Sequence, residues 1–157
     1  MHRDADLLVA LAAAIVLAVL AFRGGDTRGL SPARASWGLT PGALNPDVTQ
    51  ATVDQTVCKA GWTRTIRPPT DYTNELKRTQ MQEYGRVGDL AGYQEDHLIS
   101  LELGGHPTDP RNLWPEPYPR AADVDREENR LNDAVCSGHL SLAEAQQRES
   151  AMKHTAG

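Results

Sequence analysis

The sequence predicts an α+β domain built on a strand–loop–strand–helix unit, and three observations predict it. Residues 93–103 form a strand-like run that ends at Gly104-Gly105, and residues 112–117 offer a second short strand able to return antiparallel. Residues 122–135 then read as a charged helix with Leu131 and Val135 at i and i+4 on its inner face. The 157 residues suit one modest domain. The chain is 39% hydrophobic, with three Trp, four Tyr and a single Phe at position 22, so the core must be mostly aliphatic. A formal charge of −5 excludes a strongly basic nucleic-acid coat protein and a polybasic membrane binder. It leaves open an enzyme that touches nucleic acid at one local site.

The elements follow in order. Leu7 to Phe22 is an unbroken apolar run without charge. At about 1.5 Å per residue it makes a helix of roughly 24 Å, between a long signal-peptide core and a short anchor. Residues 1–22 therefore read as a signal peptide or membrane anchor, with cleavage left open and a buried core helix as the alternative. Residues 23–48 read as a flexible linker, rich in Gly, Ser, Ala and Pro with no apolar period. The domain is expected over 49–157. Trp62-Thr63-Arg64-Thr65-Ile66 alternates and predicts two short N-terminal strands around Gly61, stopped by Pro68-Pro69. Thr73 can cap a helix over 74–84, closed by Gly85. Ser141-Leu142-Ala143-Glu144 has capping-box form and opens a last helix to about Lys153. Cys58 and Cys136 are the only cysteines, and neither belongs to a CxxC pair. In an exported chain they are expected to be bridged; two buried free thiols are the alternative.

The residues with chemistry cluster in the predicted unit. Asp96-His97 opens the first strand, Gly104-Gly105 ends it, and Asn112-Leu113 opens the second. This constellation, over Glu95 to Cys136, resembles the HNH endonucleases, the ββα-metal nucleases. The wider chain is similar to a family of exported bacterial proteins. Their pattern runs from Thr40-Pro41-Gly42-Ala43 through DHLI, LELGG and NLWPEP to Glu128-Asn129, Val135-Cys136 and Gly138.

The resemblance implies a small ββα-metal core and an exported endonuclease that cleaves nucleic-acid phosphodiester bonds with a divalent ion, Mg²⁺ first. Imidazole suits a base near neutral pH, so His97 is the expected base and Asp96 a metal ligand. Asn112 is expected to steady the loop. The third position lies on the helix, where Asp125, Glu128 and Asn129 share one face. All three offer the oxygen that Mg²⁺ prefers, and Asn129 ranks first, then Asp125. This chain departs from the pattern in two ways: no His lies within that helix, and Val124 stands where similar proteins carry Lys.

Arg111 and His106 are the expected substrate contacts, with Arg64, Arg67, Lys77 and Arg78 as further cations that the sequence cannot place on one face. His2, His139 and His154 receive no role, and Trp114 reads as packing. The expected partners are DNA or RNA as substrate, and a membrane through the N-terminal segment if it is uncleaved; the expected location is extracytoplasmic. The competing reading is a disulfide-stapled binding or structural module with a degenerate site, in which Asp96-His97 merely fixes a turn and Glu128 is a solvated helix position.

Overall fold

The computed structural model describes residues 33–155. The apolar segment 7–22 and residues 23–32 lie outside the described residues, so the signal or anchor expectation does too. Among the described residues no helix is long and apolar enough to cross a membrane.

The fold is α+β. A two-stranded antiparallel sheet pairs β1 (Tyr93–His97) with β2 (Leu113–Pro117), with Asp96 opposite Trp114 and Gln94 opposite Glu116. Four helices surround it among the described residues: α1 (Trp62–Ile66), α2 (Thr70–Glu83), α3 (Tyr118–Cys136) and α4 (Leu142–Thr155). The order strand, loop, strand, helix is the one the sequence predicts.

The first strand is shorter than expected. It ends at His97, because from Ile99 onward a side chain replaces the ladder. The amide of Asn112 accepts from the Ile99 N–H at 2.9 Å and donates to the Ile99 carbonyl at 3.0 Å. The chain then makes a 3-10 turn over Leu101–Leu103 and leaves through Gly104 at φ +79°. A Cβ on Gly105 would lie 1.7 Å from the Ile99 carbonyl oxygen, so only glycine permits this close approach.

Two expectations are corrected. The N-terminal strands around Gly61 do not exist: residues 62–66 form α1, after Gly61 in the left-handed region at φ +79°. A five-residue alternation fits one helical turn as well as a strand, and here Thr65 Oγ1 donates to the Trp62 carbonyl at 2.7 Å. Likewise residues 33–48, assigned to a linker, are seated against the domain. They are held by backbone bonds rather than by an apolar stripe: Ala35 N to Lys153 O at 3.0 Å, Gly42 N to Arg111 O at 2.9 Å, Asn45 N to Gly104 O at 2.9 Å, and a bridge between Leu44 and Gly105. Such bonds leave no periodic trace in a sequence.

The main core joins Val48, Val53 and Val57 to Ile99, Leu103, Leu131, Val135, Leu142 and Ala145. A second cluster gathers Ala35, Tyr84, Leu98 and Trp114. Cys58 and Cys136 are bridged, with Cα atoms 5.4 Å apart and a separation of 78 positions in sequence. In the chain-entropy model a loop closed between positions 78 apart in sequence contributes on the order of 4.5 kcal/mol. The bridge pins the loop before α1 to the end of α3. Ser141 caps α4 as expected, its Oγ accepting from the Glu144 N–H at 3.3 Å.

Candidate active site

Asp96 and His97 end β1, and the chain turns away immediately after them. This lets two adjacent side chains reach one cavity, which a straight strand would forbid. That cavity, about 370 Å³, is lined by Asp96, His97, Asp125, Glu128 and Asn129 together with Arg67, Thr63, Gln94, Ser100, Leu101 and Glu102. The expected base, the expected aspartate and all three candidate oxygens of α3 are therefore brought together. Arg111 and His106 are not. They line a separate hollow with Pro41–Leu44 and Asp109, where Arg111 is paired to Asp109 at 2.6 Å. His106 Nδ1 accepts from the Asp109 N–H at 3.0 Å. Of the other cations only Arg67 reaches the cavity; Lys77 Nζ donates to the Tyr93 carbonyl and Arg78 pairs with Glu75.

His97 is buried and oriented. Its Nε2 lies 3.0 Å from the Pro107 carbonyl oxygen. A carbonyl only accepts, so Nε2 carries the proton and Nδ1 keeps the lone pair. Burial first, then Lys153 and Arg67, hold its pKa below the usual imidazole value, which keeps it neutral at pH 7. Asn112, fully buried, ties the same loop by donating to the His106 carbonyl at 3.1 Å.

The feature that the sequence reading missed is Lys153. Its side chain is fully buried, and its ammonium reaches across from α4 to Asp96 Oδ2 at 2.8 Å, Glu128 Oε1 at 2.5 Å, Glu149 Oε1 at 3.3 Å and the His97 carbonyl at 2.5 Å. Lysine on a terminal helix ordinarily reads as solvated; the Glu149–Lys153 spacing of four was the one signal, and it is equally common on exposed faces. Val124, where the resemblance expects Lys, is buried one turn before Glu128.

That ammonium bears on the divalent ion. The Asp96 carboxylate holds Lys153 on one oxygen, and its other oxygen accepts from Gln94 Nε2 at 3.3 Å. The Asn129 amide nitrogen is turned back onto the Asp125 carbonyl at 2.6 Å. A divalent ion on Asp96 would face the ammonium across one carboxylate, a repulsion of roughly 7 kcal/mol at about 5 Å and an effective dielectric constant of ~20. Among the described residues no group of three or more His, Cys, Asp or Glu side chains is arranged to hold a metal. The expected ion does not fit the Asp96–Asn129 pair.

Around Lys153 lies a store of protons. Burial, then the Asp96 charge, pushes Glu116 up to about 8. Burial pushes Glu95 to about 8 and Glu102 to about 7, the latter helped by Glu128, Asp133 and Asp125. The Glu95 oxygens are buried and meet no hydrogen-bond partner among the described residues, as suits a neutral carboxyl, whereas Glu116 Oε1 lies 3.6 Å from the Arg120 guanidinium. The sign for stability follows. Between about pH 6.5 and 8 the folded chain keeps protons that the unfolded chain releases, so stability should fall as pH rises. His97 and His154, both lowered, act only below about pH 6.5. Urea midpoints at pH 6.5 and 8 check this, and a higher midpoint at pH 8 would contradict it. Comparison of the chain with protein-family models, with curated proteins and with solved structures finds no match.

Proposed function

We propose that the chain is an exported nuclease that cleaves nucleic-acid phosphodiester bonds, with His97 as the base. The observation that carries this reading is the commitment of His97 Nε2 to the Pro107 carbonyl, which leaves the lone pair on Nδ1 of a residue that lines a cavity together with Arg67. A base must be both oriented and unprotonated, and here one hydrogen bond and burial supply the two conditions. Arg67 is the cavity's exposed cation and the natural partner for a phosphate oxygen. Asn112 and the disulfide hold the scaffold that fixes His97. The bridged cysteines also suit an oxidising, extracytoplasmic compartment, where the N-terminal apolar segment would deliver or anchor the domain.

A second reading has its own observation. The grip of Lys153 on Asp96 would equally serve a stapled binding module that has no chemistry. The two separate in one assay: the full chain, disulfide intact, incubated with single- and double-stranded DNA and RNA, each with Mg²⁺ and with EDTA. Cleavage that disappears when His97 is replaced is expected. If all four polymers stay intact under both conditions, the module reading stands and the nuclease reading fails.

A further inference from the structure

The ammonium at Asp96 bears on which nucleic acid the site can cut. Hydrolysis of DNA needs a water molecule brought in as nucleophile and a strong Lewis acid on the phosphate and the leaving oxygen. Lys153 lies where that acid is expected, fully buried and shared among Asp96, Glu128 and Glu149. It touches no substrate. It neutralises those carboxylates from behind and leaves the catalytic work to groups that line the cavity.

Those groups form an acid–base set. His97 presents the Nδ1 lone pair. Glu102 stands on the 3-10 turn after β1 and lines the same cavity; its carboxyl makes no ion pair or hydrogen bond with the described residues, although its carbonyl accepts from Asn132 Nδ2 at 2.7 Å. Arg67 lines the cavity as well. Ser100 also lines the cavity, and its Oγ is buried with no hydrogen-bond partner among the described residues. Orphaned buried hydroxyls are uncommon, because each costs about 1–3 kcal/mol unless something bonds it. Glu102, raised to about 7 by burial and by its acidic neighbours, has a proton to give, and His97 Nδ1, left with its lone pair by the bond from Nε2 to the Pro107 carbonyl, can take one. Two such groups with displaced affinities are the usual mark of an acid and a base in one site.

We propose that this site cleaves RNA rather than DNA, by attack of the RNA's own 2′-hydroxyl on the adjacent phosphate, without a divalent ion. This rests on the nuclease reading above. His97 Nδ1 takes the 2′-hydroxyl proton as the 2′-oxygen bonds to phosphorus. The bond from phosphorus to the 5′-oxygen breaks, and Glu102 gives its proton to that leaving oxygen. The products are a 2′,3′-cyclic phosphate and a 5′-hydroxyl end. Arg67 bonds the non-bridging oxygens, where charge develops. The proton on His97 then returns to Glu102 through solvent, and the site is restored. No oxidant, reductant or second substrate is needed. The internal nucleophile supplies the proximity that a metal-bound water would otherwise provide, and DNA has no such group.

The test uses the full-length oxidised chain in EDTA with three labelled strands of one sequence: single-stranded RNA, the same RNA with every 2′-oxygen methylated, and DNA. Cleavage of the unmodified RNA alone is expected, with 2′,3′-cyclic phosphate ends. Glu102→Gln and His97→Gln should each slow it by roughly 10²–10⁴-fold. A need for Mg²⁺, cleavage of the DNA or methylated strand at a comparable rate, or 3′-hydroxyl ends would overturn this inference while leaving the nuclease reading intact. Unchanged rates in Glu102→Gln would overturn the assignment of the acid. An intact set of strands with and without Mg²⁺ would sink the nuclease reading and this inference together.

Discussion

His97→Ala should lower the rate of phosphodiester cleavage by roughly 10²–10⁴-fold, the range for loss of a positioned base. The reduction should fall on kcat and kcat/KM alike, because the lost interaction exists only in the transition state. Alanine removes two things at once, the base at Nδ1 and the donor that holds the Pro107 carbonyl. His97→Gln separates them. Its amide can donate to the same carbonyl but has no basic nitrogen, so it should keep the loop and still lose the rate. A glutamine variant with near wild-type activity and an unchanged melting temperature would remove His97 from the chemistry and leave it a loop fastener. Arg67→Ala offers a contrast: a phosphate contact on the rim should weaken substrate binding and flatten the salt dependence.

The parts of this site that could be read in advance are those set by local spacing. Asp96-His97, Asn112 and Gly104-Gly105 lie within seventeen residues of one another, and three of them have a backbone reason for their type. Asn112 replaces a ladder bond, Gly104 turns left-handed, and Gly105 allows the Ile99 carbonyl to approach. Such requirements are written into residue identity. The disulfide was legible from count and context alone, because only two cysteines exist. What escaped depends on packing between distant elements. Nothing in Glu149-Ser150-Ala151-Met152-Lys153 says that Lys153 meets β1 rather than water; that follows only when α4 packs across α3 and the sheet. The same holds for Ser36 and Thr40, which lie in the expected linker. Ser36 N donates to the Tyr84 hydroxyl at 3.1 Å and Thr40 Oγ1 is 2.7 Å from it, so a tyrosine ending α2 holds the N-terminal segment in place. Arg111 reads as a substrate contact in the sequence, yet its guanidinium bonds Asp109 and lines a separate hollow.

Replacing Lys153 should have the largest effect on stability. Lys153→Met keeps most of the stem and removes a fully buried charge that meets three carboxylates and a carbonyl. Removing one partner from a buried ionic cluster typically costs about 3–5 kcal/mol, because the charges left behind have neither water nor a counter-ion. A domain of this size is stable by only about 5–15 kcal/mol, so the variant should unfold at a much lower urea concentration at pH 7. The carboxylates can escape the penalty by taking up protons. The loss should therefore shrink as pH falls toward 5, since Glu128 and Glu149 already have raised affinities from burial. Should Lys153→Met fail to fold, the triple change Asp96→Asn, Glu128→Gln and Lys153→Met tests the same point. It removes two of the three stranded charges along with the ammonium, leaves Glu149, whose carboxyl burial already biases toward the neutral form, and should recover most of the stability, as neutral replacements of buried ionic clusters often do. A cost below about 1 kcal/mol for Lys153→Met at pH 7, or a triple variant no better than the single one, would mean that the ammonium is not what holds α4 to β1.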